Sequence, residues 1–193
     1  MLPGDTLTRD GCLAFLSRRK SGLHVGSRTA LDWRGVRHNV GFREVLSLWG
    51  TDRVALPSWF TQRFQSRYQV TQLFDTRLKN DFGVQPLPNG RPEVLVSVPE
   101  RAMLELLSDV GKNQSLDEAR QLVEGLRSLR TNVLEELMVH VKRIKVIRLA
   151  ESLSKEFDLP WAALAKSHSQ RLGGGKRWVG VGKSGERLDL RRS

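Results

Sequence analysis

HVGSRTALDWRGVRHN, residues 24–39, reads as strand, turn, short helix and turn in one unit. Val25-Gly26 closes an extended segment, and Ser27 is placed to cap a helix over 28–34 by accepting from a first-turn amide. Ala30, Leu31 and Trp33 turn inward, and Gly35 stands where a helix end favours positive φ. A strand that feeds directly into a helix requires a sheet with helices packed on it, and the flanking sequence supplies both.

Upstream, 7–20 has a helical period, with Thr8 as cap, Leu13, Ala14 and Leu16 apolar, and Arg18-Arg19-Lys20 at the favourable C-terminal end of the dipole. Ser21-Gly22 breaks it. Downstream, 42–49 and 68–74 alternate as strands, 53–56 is extended, and Pro57 to Phe60 begins a helical turn with two aromatics. Two further strands, 82–87 and 93–98, flank the turn Pro88-Asn89-Gly90-Arg91-Pro92. At Ser97 the period changes: Ser97 and Glu100 have capping-box spacing, Pro99 lies in the first turn, and Ala102, Met103, Leu106, Leu107 and Val110 recur helically up to Gly111. Ser115 to Glu118 repeats the device for a helix to about Leu129. Asn132 opens a long helix whose apolar stripe runs through Leu137, Val141, Ile144 and Ile147 to Leu153, a core stripe by its spacing. Pro160 ends it, Trp161 to Ala165 adds a helical turn, and 177–181 and 186–190 form a hairpin across Lys183-Ser184-Gly185. The expected class is α+β: N-terminal helices with a mainly antiparallel sheet, then a helical segment and a C-terminal β-hairpin. One domain covers 1–193, with a mixed part at 5–98, a helical part at 99–166 and a Gly-rich basic loop and hairpin at 167–193.

The chain has 193 residues, of which 39% are hydrophobic and 27% charged, which suits a globular protein. No apolar run reaches the ~20 residues of a bilayer span. MLPGDTLTRDG has no basic segment followed by an apolar one, so no secretory signal is read there; a cytoplasmic location without membrane contact follows. Cys12 is the single cysteine, which excludes an internal disulfide and reads as a buried thiol. His24, His38, His140 and His168 lack ligand spacing, so no metal, no cofactor and no catalytic residue are assigned.

The net charge of +11 is unevenly spread. Residues 1–53 carry 9 Lys+Arg against 5 Asp+Glu, residues 54–137 carry 10 against 11, and residues 138–193 carry 13 against 5. Such a basic end favours a polyanion, most often nucleic acid. Gly180-Val181-Gly182-Lys183-Ser184 ends like a phosphate loop, but Arg177 stands where its first glycine belongs and no long helix follows. The expected nucleic-acid contacts are Lys142, Arg143, Lys145 and Arg148, as a ridge on one long helix, and Lys176 and Arg177 beside Gly173-Gly174-Gly175. A solvated helix face and tightly packed glycines are the structural alternatives. A nucleic-acid-processing enzyme is the rival from another class, and it requires carboxylates converging on a cleft.

Residues 24–38 resemble the "HVGG-TALELQG-aH" segment of the AbiEi antitoxins of type IV toxin–antitoxin systems, which are linked to abortive phage infection. In the same order along the chain, LPSWF at 56–60 is similar to "LPxWF", VPERAMLELL at 98–107 to "SPERAxLELL", VKRIKVIRL at 141–149 to "VKxxRL", and LGGGKR at 172–177 to "LGxGKR". Asp32-Trp33 departs from the usual Glu-Leu, His140 stands where a cysteine is common, and the tail lacks the usual tyrosine. The resemblance implies a non-enzymatic antitoxin that counteracts a nucleotidyltransferase toxin without forming a stable complex, and supports autorepression of its operon by binding DNA. Family members begin with a winged helix-turn-helix ending in a Gly-Asp turn, which Met1 to Asp5 resembles. The resemblance therefore implies that this chain starts after the DNA-reading domain, through a truncated gene, a misplaced start codon or a genuinely shorter antitoxin; a truncated, non-functional fragment is the further alternative.

Overall fold

A computed structural model describes residues 7–36, 45–70, 72–171, 178–181 and 187–190. The fold is α+β, and its sheet is built around the opening stretch. Strand β1 (His24–Val25) is central in the order β3-β2-β1-β5-β4, where β2 is Leu46–Trp49, β3 Ser66–Gln69, β4 Val84–Pro86 and β5 Leu95–Ser97. β1 runs antiparallel to β2 and parallel to β5, β2 runs parallel to β3, and β4 runs antiparallel to β5. The sheet is thus mixed, not mainly antiparallel. Alternating hydrophobicity marks a strand and its buried face but not the direction of its neighbour.

The first helix, α1 (Arg9–Ser17), is capped as expected, with Gly11 N donating to the Thr8 hydroxyl at 3.2 Å. Cys12 is fully buried there, and burial pushes its thiol pKa up. α2 (Ser27–Trp33) follows β1, with Ala30 and Leu31 buried. It ends at Gly35, whose φ of +88° is the left-handed value that favours glycine. The Trp33 ring is half-buried and carries the Arg9 guanidinium 4.1 Å above it. The LPSWF segment forms α3 (Ser58–Arg63), while 53–56 makes no strand. β3 begins two residues before the expected Tyr68, and Phe74 leaves the sheet to bridge Val141 instead.

α4 (Pro99–Asp109) is buried on every side, packed between α2 and the helices that follow. α5 (Leu116–Glu124) carries the expected cap, Glu118 N to Ser115 Oγ at 3.2 Å. The single long helix expected from Asn132 to Leu153 is instead two, α6 (Thr131–His140) and α7 (Ile144–Glu156). Between them the backbone is strand-like and pairs with a distant loop: Lys142 N donates to Leu73 O, and Asp75 N to His140 O, both at 2.9 Å. The apolar stripe continues across the break, so periodicity alone gave no sign of it. α8 (Ala162–Arg171) is longer than the expected turn and is anchored by Trp161, whose indole donates to Leu126 O at 2.8 Å. β6 (Trp178–Val181) and β7 (Arg187–Leu190) pair antiparallel as the expected hairpin. One hydrophobic core runs from Cys12 to Ala165, drawing on the sheet and the helices alike.

Candidate functional site

Two stretches that look unrelated in sequence meet at a single buried carboxylate. Glu105, fully buried on α4, accepts from His24 Nε2 at 3.0 Å, Arg101 Nε at 2.9 Å, Ser97 Oγ at 2.9 Å and the Ser27 amide at 3.0 Å. Ser27 therefore does not cap α2: its φ is +49°, and the Glu105 carboxylate takes the exposed amide from outside the helix. The Ser27 hydroxyl turns the other way, accepting from Trp49 Nε1 at 3.1 Å and donating to Asp109 Oδ2 at 3.4 Å. Nor does Ser97 cap α4, because its hydroxyl is spent on Glu105. Both ring nitrogens of His24 face oxygen atoms, Gly22 O at 2.8 Å and Glu105 Oε1 at 3.0 Å.

Burial by itself would raise the Glu105 pKa, but the attraction of His24 and Arg101 outweighs it and holds the group down at about 2. Asp109, one turn on, is pushed up by burial despite accepting from Gln69 Nε2 at 2.5 Å. Glu100 reaches outward from the same helix: its carboxylate accepts from Arg130 N at 2.8 Å and from the Arg130 guanidinium at 3.0 Å, which fixes the start of α6. Pro99-Glu100-Arg101 thus clamps α4 to its surroundings on two sides.

Above this network lies a cavity of about 360 Å³, within the range that holds small ligands. Its floor includes His24, Trp49 and Arg101, and one wall is the loop carrying Leu73, Phe74 and Asp75. Arg101 is 8% exposed and is held in place by Phe82 O at 2.6 Å and Asn80 O at 3.0 Å, with its guanidinium 5.2 Å from the Phe74 ring centre. Asp75 bonds Arg77 at 2.6 Å and His140 Nδ1 at 2.9 Å, and the Arg77 hydrogen bond above all lowers its pKa. Among the described residues that line the cavity, Asp75 is the single carboxylate.

Of the expected nucleic-acid contacts, Lys142 is exposed and lies 3.5 Å from Gln72 Oε1. Arg143 precedes α7 and donates to Ser108 Oγ at 3.1 Å, and Lys145 donates to Val110 O at 2.6 Å. Burial, with Lys112 and Arg143 nearby, lowers the Lys145 pKa. Arg148 is 6% exposed. The expected ridge on one helix is therefore corrected: the helix is broken at 141–143, and Arg148 faces the interior. Lys176 and Arg177 lie outside the described residues. Among the described residues no group of His, Cys, Asp and Glu has the arrangement of a metal site, and no helix is long and apolar enough to cross a membrane.

The Glu105 network went unrecognised in the sequence because its partners are up to 81 residues apart. The available signal was Glu105 itself, a carboxylate set between Leu104 and Leu106 with an arginine four residues before it.

A family profile described as "Transcriptional regulator, AbiEi antitoxin, Type IV TA system" matches residues 43–190. The profile for the AbiEi antitoxin N-terminal domain matches residues 1–42. That match overturns the expectation that the chain starts after the N-terminal domain. The described part of the matched stretch, α1, β1 and α2, is built into the common core, so no linker marks it in the sequence. No curated protein matches the chain. Among solved structures, the crystal structure of the RV2827C protein from Mycobacterium tuberculosis is similar in fold, with a TM-score of 0.53 at 14% identity. The likeness covers 90% of this chain and 62% of that one.

Proposed function

The chain belongs to the AbiEi antitoxin family, transcriptional regulators of type IV toxin–antitoxin systems, and from that premise we propose that it is a cytoplasmic antitoxin that counteracts a nucleotidyltransferase toxin. It acts without a stable antitoxin–toxin complex and supports repression of its own operon by binding DNA. The observation that supports this reading is the convergence on Glu105. The stretches at 24–38 and 98–107 that resemble the family are the ones that build the network, so the fold those signatures specify is assembled. The test is co-expression with the nucleotidyltransferase toxin of the same operon. Growth is restored while the two proteins elute separately; a soluble chain that fails to rescue overturns the reading.

The DNA contact falls to exposed Lys142 and to Lys176 and Arg177 in the basic C-terminal end. Binding to the operon's promoter weakens with salt, log affinity falling by roughly 0.9 per phosphate neutralised for each tenfold rise in salt. Replacing Lys176 and Arg177 together by alanine reduces that slope by about 2, and Lys142→Ala by about 1. Arg148, being buried, contributes nothing to it. Filter binding across a salt series reads the slopes; affinity that is absent at low salt overturns this part.

A further inference from the structure

We propose that the cavity above the Glu105 network binds a small phosphorylated ligand with a planar, hydrogen-bonding body, the chemistry of a nucleoside monophosphate. The basic groups at the cavity fall into two kinds. His24 and Arg101 are nearly buried: both His24 ring nitrogens face Glu105 and the Gly22 carbonyl, and Arg101 spends Nε on Glu105 and Nη1 on the carbonyls of Asn80 and Phe82. They set the shape and field of the floor, and the Arg101 Nη2 is what they have left to offer a ligand. Arg53 and Lys79 also line the cavity, are exposed, and have no side-chain partner among the described residues.

Among the described residues the one opposing carboxylate in the lining is Asp75, which is paired with the Arg77 guanidinium and hydrogen-bonded to His140. An anion entering the cavity therefore meets two uncommitted cations and little repulsion, and the semi-enclosed walls strengthen that attraction over its value in open water. The rest of the lining argues against inorganic phosphate alone. Val70, Leu73, Phe74 and Leu78 give the lining an apolar part, and Gln72, Asn80 and Thr76 add amide and hydroxyl groups, with Thr51 donating its hydroxyl to Ser21 O. An apolar wall with a few convergent polar groups is how proteins hold a flat heterocycle and read its edge. A phosphate on Arg53 and Lys79 with a ring against Phe74 uses each of these features.

This inference is independent of the antitoxin reading and is tested on the isolated full chain. Calorimetric titration with AMP, GMP, CMP and UMP is expected to show saturable binding by at least one of them. Inorganic phosphate at the same concentration binds at least tenfold more weakly. The double variant Arg53→Ala/Lys79→Ala weakens nucleotide binding at least tenfold while its thermal melting without ligand matches that of the parent, since neither side chain has a partner to lose. No binding of any nucleotide at millimolar concentration overturns the proposal. So does binding that survives the double variant, or inorganic phosphate that binds as tightly as the nucleotides. A free nucleotide and the end of an RNA strand present the same chemistry. A 5′-phosphorylated single-stranded RNA that displaces the nucleotide while its 5′-hydroxyl counterpart does not identifies a strand end, and failure of both to displace it identifies the free nucleotide; either pattern upholds the site.

Discussion

Glu105→Ala is expected to lower unfolding free energy by about 3–5 kcal/mol, the range for removing one partner of a buried ion pair. The substitution leaves His24 and the Arg101 Nε facing no anion, and strips an acceptor from the Ser27 amide and the Ser97 hydroxyl at once. For a chain of this length 1 kcal/mol moves Tm by about 2–4 °C, so the loss is of order 10 °C. Glu105→Gln keeps the shape and removes the charge, which gives the same conclusion a gentler readout. In the folded protein the Glu105 pKa is about 2, below the ordinary 4.5. A depressed carboxylate stabilises the fold above its unfolded pKa, and that contribution is lost as pH falls through the folded one. The gap of some two and a half units corresponds to about 3 kcal/mol. Urea unfolding of parent and Glu105→Gln is therefore expected to differ by a constant amount above about pH 5 and to converge as pH falls from about 4.5 towards 2. A constant difference throughout that window would show that the carboxylate's charge does not matter to the fold.

The elements that rest on neighbouring residues were legible in the sequence. Thr8 and Ser115 cap the helices they precede, Gly35 and Gly111 take positive φ at helix ends, and both hairpin strands of the tail stand where alternation puts them. The misreadings have one physical origin, a distant partner that overrides a local preference. Ser27 and Ser97 each satisfy a capping pattern, yet a carboxylate from α4 captures the Ser27 amide and the Ser97 hydroxyl. The stripe from Leu134 to Leu153 is apolar enough for one helix, yet pairing with 73–75 opens it at Val141 to Arg143. That break also dissolves the basic ridge. Long cationic side chains close to an interior spend their donors on nearby carbonyls, as Lys145 does on Val110, and spacing on a helical wheel does not show it. The cavity was illegible for the same reason, since its lining comes from the ends of β1, β2 and α4 and the loop after β3.

Gly26→Ala is expected to be nearly as damaging as the loss of Glu105 itself, and for a reason that backbone preference does not supply. Gly26 has φ −132° and ψ −170°, extended backbone that alanine adopts without strain. The obstacle is space: an added Cβ would stand 2.3 Å from Glu105 Oε2 and 2.6 Å from Trp49 Cδ1. Neither neighbour is free to retreat. The carboxylate is held by four donors, and the indole is 3% exposed and bonded to Ser27 Oγ. Overpacking a tight core ordinarily costs about 1–3 kcal/mol, and here relief requires moving the carboxylate that His24 and Arg101 are bonded to, so the upper end of that range or beyond applies. Gly35 is the control, because it reverses both conditions. Its φ is +88° but nothing lies within 4 Å of an added Cβ, so Gly35→Ala pays only the left-handed penalty of about 1–2 kcal/mol. Urea midpoints are expected to rank parent, Gly35→Ala, then Gly26→Ala, with the pH dependence assigned to Glu105 weakened in Gly26→Ala alone. If Gly26→Ala loses no more than Gly35→Ala, the close contact between β1 and α4 is looser than the geometry requires, and the network cannot be what joins the two stretches.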